Sequence, residues 1–69
     1  MAQQTDRFAY DLYDRFVHTA HDVWRVWHGE VRLVATGQRV HRTIDYNAYD
    51  DAVQAMLDWA DDNMDNEDL

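Results

Sequence analysis

The sequence predicts a single α+β domain in which two helices flank a three-stranded antiparallel meander, in the order α-β-β-β-α. Apolar residues recur with helical spacing near both ends of the chain and alternate with polar residues in the middle. The only two glycines, Gly29 and Gly37, divide that middle region into three short runs. The 69 residues suffice for one domain, residues 1–69. The polar ends, 1–4 and 64–69, are predicted to fray.

The first predicted helix covers residues 6–21, with Thr5 as its N-cap and Asp6 in its first turn. At 100° per residue one broad arc is apolar, and charged residues occupy the opposite arc. The apolar arc consists of Phe8, Ala9, Leu12, Tyr13, Phe16, Val17 and Ala20.

The three predicted strands are 23–27, 30–35 and 38–44, joined by tight turns at His28-Gly29 and Thr36-Gly37. Two-residue turns would place Val26 opposite Val31, Trp24 opposite Leu33, and Leu33 opposite Val40. One face of the sheet would then be apolar and would carry Trp24, Val26, Val31, Leu33, Ala35, Val40 and Ile44. A register slip of one residue would exchange the two faces.

The second predicted helix begins after Asn47, its expected N-cap, and presents an apolar stripe with Trp59 at the margin. The stripe contains Tyr49, Ala52, Val53, Met56, Leu57 and Ala60. Both helices are expected to pack on the apolar face of the sheet.

Charge is distributed unevenly along the chain, whose net charge is −8. Residues 1–42 contain six arginines and five carboxylates, a net charge of +1, whereas residues 43–69 contain nine carboxylates and no arginine. The second helix and the residues after it therefore carry essentially all of the excess charge. Such a segment attracts basic partners and opposes direct binding to nucleic acid or to an anionic membrane.

The acidic residues of the second helix share one arc, on which side chains three or four positions apart are neighbours. This predicted partner-binding surface consists of Asp50, Asp51, Asp58, Asp61, Asp62 and Asp65, with Trp59 as an apolar contact beside them. A rigid row of carboxylates presents a field similar to that of a DNA backbone. Two other interpretations stay open: the acids keep the protein soluble, or they reflect a halophilic or high-GC composition.

Catalysis is not expected, because the chain contains no Ser, Cys or Lys, the usual covalent nucleophiles. His18 and His21, with Asp14 and Asp22 nearby, have a spacing that can bind a divalent metal. Two imidazoles are too few for a specific site, and solvent-facing histidines are the preferred interpretation. The sequence thus predicts no catalytic residues, no metal and no cofactor.

A secondary candidate surface is the polar face of the sheet, formed by Arg25, Trp27, Arg32, Arg39 and His41. Basic groups around an aromatic ring can stack on bases or bind phosphates. The same face can equally serve a homodimer or another protein partner, and the acidic net charge favours those interpretations.

The stretches Asp50-Asp51-Ala52 and Leu57-Asp58-Trp59-Ala60-Asp61-Asp62 resemble the acidic C-terminal region of phage-encoded anti-CRISPR proteins that mimic DNA, among them an inhibitor of type I-F Cascade. The resemblance covers about a third of the chain and includes nothing in the sheet. It implies binding to basic residues of a CRISPR surveillance complex that otherwise hold target DNA. The implied contact residues are Asp50, Asp51, Asp58, Asp61 and Asp62.

The resulting hypothesis is an inhibitor or decoy that presents its acidic helix to the nucleic-acid-binding groove of a host defence protein. The alternative is a small structural or regulatory interaction module, antitoxin-like or homodimeric, that uses the Arg/Trp sheet face. No stretch has the roughly 20 apolar residues that cross a bilayer, and the N-terminus MAQQTDRF has no apolar signal region. A cytoplasmic monomer or homodimer is expected, in the host cell if a phage encodes it.

Overall fold

The computed structural model of the protein describes residues 7–69 and contains one antiparallel sheet and one helix. The elements in chain order are β1 (Phe8–His18), β2 (Val23–Leu33), β3 (Arg39–Arg42) and α1 (Tyr49–Asp62). The strands are ordered β1-β2-β3, so β2 lies in the centre. The α+β class is as predicted, but the order α-β-β-β-α is wrong: the described chain is βββα, with one helix.

The segment predicted as the first helix is a strand, β1, paired with β2 over its full length. Phe8, Leu12 and Phe16 are four residues apart and so fit a helical stripe, but they also fit strict alternation. Aromatic and β-branched residues favour a strand, and pairing with the β-rich segment that follows decides between the two patterns. Thr5 and Asp6, the predicted cap and first residue of that helix, lie outside the described residues.

β2 continues through His28-Gly29, where the sequence predicted a turn. Instead, the first hairpin turns at Thr19–Asp22, where the Thr19 N–H donates to the Asp22 carbonyl over 2.8 Å. The expected pairs Val26–Val31 and Trp24–Leu33 are therefore wrong, because their members lie in the same strand.

The turn predicted at Gly37 is present, with φ of 75° and a hydrogen bond from the Gly37 N–H to the Leu33 carbonyl. A positive φ is the conformation for which glycine is favoured. The strand after this turn, β3, pairs only with residues 30–32 of β2 and contains a bulge. Backbone hydrogen bonds at Thr43 and Tyr46 continue the contact along β2 as far as Trp27.

The core lies between α1 and one face of the sheet, and its buried residues are Phe8, Val31, Leu33, Met56 and Ala60. Gly29 is buried beneath α1, where a Cβ would overlap the Met56 side chain. The helix can pack this close to β2 because Gly29 has no side chain. Its N-cap is Ala48, which provides no side-chain hydrogen bond; the expected N-cap, Asn47, lies one residue earlier.

The end of the β1–β2 hairpin, residues 15–26, extends past the region that α1 covers, and we call it the arm. Its exposed apolar side chains include Phe16 (59% exposed) and Val23 (58% exposed). No helix within residues 7–69 has the length and apolarity needed to cross a membrane.

Candidate interaction surface

The packing of α1 sets the position of its acidic residues. Ala52, Met56 and Ala60 recur every four residues and are buried against the sheet. The opposite arc must therefore face solvent. We call its carboxylates the acidic face, which consists of Asp50, Asp51, Asp58, Asp61 and Asp62.

The acidic face is shorter than the sequence suggested. The helix ends at Asp62, and Asp65 lies in the turn that follows it. At 1.5 Å per residue the row from Asp51 to Asp62 is roughly 16 Å long. Asp65 is exposed near the end of this row but is not held on the helix.

Neither the five aspartates of the acidic face nor Asp65 forms an ion pair with another described residue. Asp58 accepts a hydrogen bond from Gln54 over 2.8 Å, and Gln54 is uncharged. No cation of residues 7–69 is thus within ion-pairing distance of these carboxylates, and repulsion between neighbouring carboxylates on the helix costs stability.

The sheet, in contrast, balances its own charges. Four arginines form ion pairs with four sheet or loop carboxylates, at N···O distances of 2.5–3.2 Å. The pairs are Arg15–Asp45, Arg25–Asp14, Arg32–Asp11 and Arg39–Glu30. The ion pair with Asp11 raises the pKa of Arg32. The charge segregation seen in the sequence is thus also a segregation between two surfaces.

Arg7 binds the C-terminal end of α1. Its guanidinium donates to the carbonyl oxygens of Asn63 (3.1 Å), Met64 (2.7 Å) and Asn66 (2.5 Å). These contacts hold the C-cap residue and the turn that follows it, and they place a cation near the negative end of the helix dipole. They also fix the start of segment 64–69; fraying of its remaining residues stays a prediction, and residues 1–4 lie outside the described chain.

Leu57 is an exposed apolar residue at the edge of the acidic face, where its neighbours one turn away are Val53, Gln54, Ala60 and Asp61. It is 45% exposed and lies one residue before Asp58 and four before Asp61. Its helical spacing predicted a place in the apolar stripe, because spacing alone does not show where the buried part of that stripe ends. An exposed apolar side chain beside a row of carboxylates is a suitable anchor for a basic partner.

Trp59, the predicted apolar contact, is half-buried at the rim of the core. Its ring meets Phe8 edge-on at a centroid distance of 5.4 Å and stacks on His41 at 4.8 Å. Burial lowers the pKa of His41. Trp59 therefore contributes mainly to the packing of α1 on the sheet, and only its exposed edge is accessible to a partner.

The secondary candidate surface is divided between the two faces of the sheet. Because β2 is continuous, Arg25 and Trp27 lie on the face that α1 covers further along, and Arg32 lies on the opposite, outer face. Arg39 pairs with Glu30 on the outer face, whereas His41 stacks on Trp59 on the helix side. The turn wrongly predicted at Gly29 placed Arg25 and Trp27 on one face with Arg32, and the bulge in β3 separates Arg39 from His41.

A polar cluster on the outer face was not predicted. His28 lies between Glu30 (3.2 Å from Nε2) and Asp45 (3.8 Å from Nδ1) and stacks on Tyr13. Burial alone would raise the pKa of Glu30, but hydrogen bonds and charges from His28 and Arg39 bring it below its usual value. Only the His-x-Glu spacing in one strand could have indicated this cluster.

The two histidines of the possible metal site, His18 and His21, do not lie on a helix as predicted. His18 ends β1, and His21 lies in the hairpin turn. Within residues 7–69 no three His, Cys, Asp or Glu side chains are arranged to hold a metal ion.

Comparisons with protein families, with curated proteins and with solved structures found no match for this chain.

Proposed function

We propose that the protein is a binding protein whose acidic helix docks on a basic surface of another macromolecule, as an inhibitor or decoy of a nucleic-acid-binding protein. The observation that carries this proposal is the uncompensated acidic face of α1, beside a sheet whose arginines are mostly paired. Basic residues of a partner would supply the missing cations.

The expected energetics follow from this arrangement. A row of carboxylates speeds the encounter with a basic groove and orients the two proteins, with a strong dependence on salt. Leu57, at the edge of the row, contributes apolar contact that slows dissociation. The short row of roughly 16 Å suits a single groove that holds a few phosphates.

The resemblance to DNA-mimicking anti-CRISPR proteins bears on the target. It concerns residues of α1 only, and the sheet adds nothing to it. A CRISPR surveillance complex is therefore the first target to test, and restriction and repair enzymes, which other acidic mimics block, are the next.

The test is capture of partners from a bacterial lysate by the tagged protein, followed by competition with DNA. Two variants are compared with the wild type: Asp58→Asn/Asp61→Asn/Asp62→Asn, and a control, Asp22→Asn/Glu67→Gln/Asp68→Asn. Both variants remove three exposed negative charges, but only the first changes the acidic face. Loss of a nucleic-acid-binding partner in the first variant alone, with release by DNA, supports the proposal. Equal binding by both variants, or a partner indifferent to DNA, refutes it.

A second candidate function is an interaction module that uses the arm. Arg25 lies over the rings of Phe16 (5.9 Å) and Trp27 (5.1 Å), which forms an accessible cationic and aromatic surface. In that case Arg25→Ala and Phe16→Ala abolish capture in the same experiment, and the change at Asp58, Asp61 and Asp62 has no effect.

A further inference from the structure

Three large side chains of α1 lie between its buried residues and the acidic face. Tyr49, Val53 and Leu57 are spaced four residues apart, so they follow one row along the helix surface. Tyr49 is 54% exposed and Leu57 is 45% exposed, whereas Val53 is half-buried and packs against the core. We call these three residues the apolar row. At 1.5 Å per residue it is roughly 12 Å long.

The two flanks of the apolar row differ in character. Three positions after each of its members lies a buried residue of α1 that packs on the sheet. The flank on the other side contains Asp50 and Gln54, and beyond Leu57 the row continues into Asp61, with Asp58 beside it. A partner that covers the apolar row therefore meets the sheet side on one flank and carboxylates on the other flank only.

The apolar row is held in position by contacts within the fold. The ring of Tyr49 meets Trp27 of β2 edge-on at a centroid distance of 6.5 Å, and Val53 packs against the core. Single exposed apolar residues are common on protein surfaces and need no explanation. Three in one row, fixed at two of their positions, form a surface that loses little side-chain freedom when a partner binds.

We propose that the apolar row and the carboxylates beside it bind a basic, amphipathic α-helix of the partner, an inference that rests on the proposed function. Side chains spaced four residues apart form the ridge that fits between the corresponding rows of a second helix. An extended peptide gains much of its affinity from backbone hydrogen bonds, but the backbone groups inside a helix already bond to each other. A second helix is therefore the occupant that suits this surface.

Charge complementarity specifies that helix further. Its apolar residues are spaced four apart, and its Arg or Lys residues lie on the one flank that meets Asp50, Asp58 and Asp61. Such a helix binds in one direction only, because turning it end for end moves its cations to the sheet side. The apolar contacts hold the complex together at salt concentrations that screen the charges.

The test uses the full chain and two synthetic, alanine-based peptides of about 20 residues, long enough to form helix in water. Both contain the same numbers of leucines and arginines. In the amphipathic peptide the leucines are spaced four apart and the arginines lie along one flank, whereas in the control peptide both are spread evenly around the helix. NMR titration at low ionic strength measures each Kd and identifies the amides whose signals shift.

We expect the amphipathic peptide to bind about tenfold more tightly, the effect of a well-buried apolar anchor, and to shift the signals of Val53 and Leu57. Equal affinity of the two peptides overturns this inference but leaves the proposed function intact, because charge alone then accounts for binding. Failure of both peptides to bind overturns the inference together with the proposed function.

Substitution of Leu57 provides a second test. Leu57→Ala keeps a good helix former and removes only a partly exposed side chain, so it should weaken the amphipathic peptide about tenfold and leave the control peptide unaffected. The matched variant is Ile44→Ala, which truncates an apolar side chain that is 72% exposed and lies outside α1. It should bind both peptides as the wild type does. Wild-type affinity of Leu57→Ala for the amphipathic peptide contradicts the inference.

The charge variant Asp58→Asn/Asp61→Asn/Asp62→Asn separates the inference from the proposed function. It should weaken both peptides, because both are basic. Unchanged binding of both peptides by this variant contradicts the proposed function, whereas a loss shared equally by the two peptides, with no effect of Leu57→Ala, contradicts only the inference.

Discussion

Gly29 of β2 lies directly beneath Met56 of α1, so closely that a Cβ on Gly29 would overlap the Cγ and Sδ atoms of Met56. The glycine serves helix-to-strand packing, not a turn. Met56 is 3% exposed and belongs to the central core cluster, so the contact determines how closely α1 approaches the sheet.

Gly29→Ala should therefore destabilise the protein by about 1–3 kcal/mol, the usual cost of overpacking a core. The measurement is the free energy of unfolding by urea. In the Met56→Ala background the same substitution should cost much less, because the overlapping atoms are gone. A cost at Gly29 that does not depend on residue 56 would assign the effect to the strand backbone instead.

Gly29 also shows why the sequence predicts only part of this fold. Alternation in the middle of the chain predicts strands, but a lone glycine in an alternating run marks either a turn or a close approach, and only the helix above Gly29 distinguishes them. The error at Gly29 then divided β2 in two and exchanged the faces of half its residues. The second predicted helix is found as α1, because its stripe consists of good helix formers, among them Ala52, Met56 and Ala60, whereas aromatic residues fill the same spacing in β1.

The positions of the site residues were predictable to a similar degree. The acidic residues of α1 are exposed as their helical arc requires, because an arc without apolar residues has nothing to bury. The exposure of Leu57 and the partial burial of Trp59 depend on the width of the contact between α1 and the sheet, which spacing does not give. The pairing of Arg32 with Asp11 joins residues 21 apart and depends on the β1–β2 register.

Thr43 links the segment after β3 to the centre of β2. Its side chain is buried, its Oγ accepts a hydrogen bond from the Gly29 N–H over 2.9 Å, and its hydroxyl donates to the Ile44 carbonyl. Thr43→Val keeps the volume but leaves the Gly29 N–H without its acceptor, which should cost about 1–3 kcal/mol of unfolding free energy. Thr43→Ser, which keeps the hydroxyl, should lose clearly less stability in the same urea titration. Equal losses would show that the methyl group is what matters.

Arg7 is expected to stabilise the C-terminal end of α1. Removing its three hydrogen bonds in Arg7→Gln should lower the free energy of unfolding by about 1–2 kcal/mol, because the carbonyls of Asn63, Met64 and Asn66 lose a charged donor and the helix end loses a nearby cation. Arg42→Gln is the matched control: Arg42 is exposed and forms no ion pair within residues 7–69. Thermal unfolding of both variants at one ionic strength measures the difference. A similar small loss in both would mean that only net charge is involved.

His41 should make stability depend on pH. Its pKa is lowered by burial, so the folded chain binds this proton less readily than the unfolded chain. The sign follows: stability is greatest above the unfolded pKa of about 6.5, and it falls as the pH decreases toward the folded pKa. Unfolding free energies of the wild type and of His41→Gln, measured from pH 8 to pH 5, should therefore converge on acidification. Divergence in favour of the wild type would show instead that stacking on Trp59 stabilises the histidinium.

The last prediction concerns the cost of the acidic face to the fold itself. Asp61 and Asp62 occupy the last turn of α1, where the helix dipole disfavours negative charge and the turn has no basic residue. Asp61→Asn and Asp62→Asn should each raise the unfolding free energy by about 0.3–1 kcal/mol at low ionic strength. Asp50→Asn and Asp51→Asn, in the first turn, should lower it by similar amounts.

Urea titrations at 10 mM and 1 M NaCl measure these changes, and screening should reduce both at the higher salt concentration. If the changes at Asp61 and Asp62 stabilise the protein and also weaken partner capture, then the carboxylates are retained for binding at the expense of stability. If all four substitutions stabilise the fold alike and none affects capture, then the acidity is a general property of the surface, and the binding proposal for α1 fails.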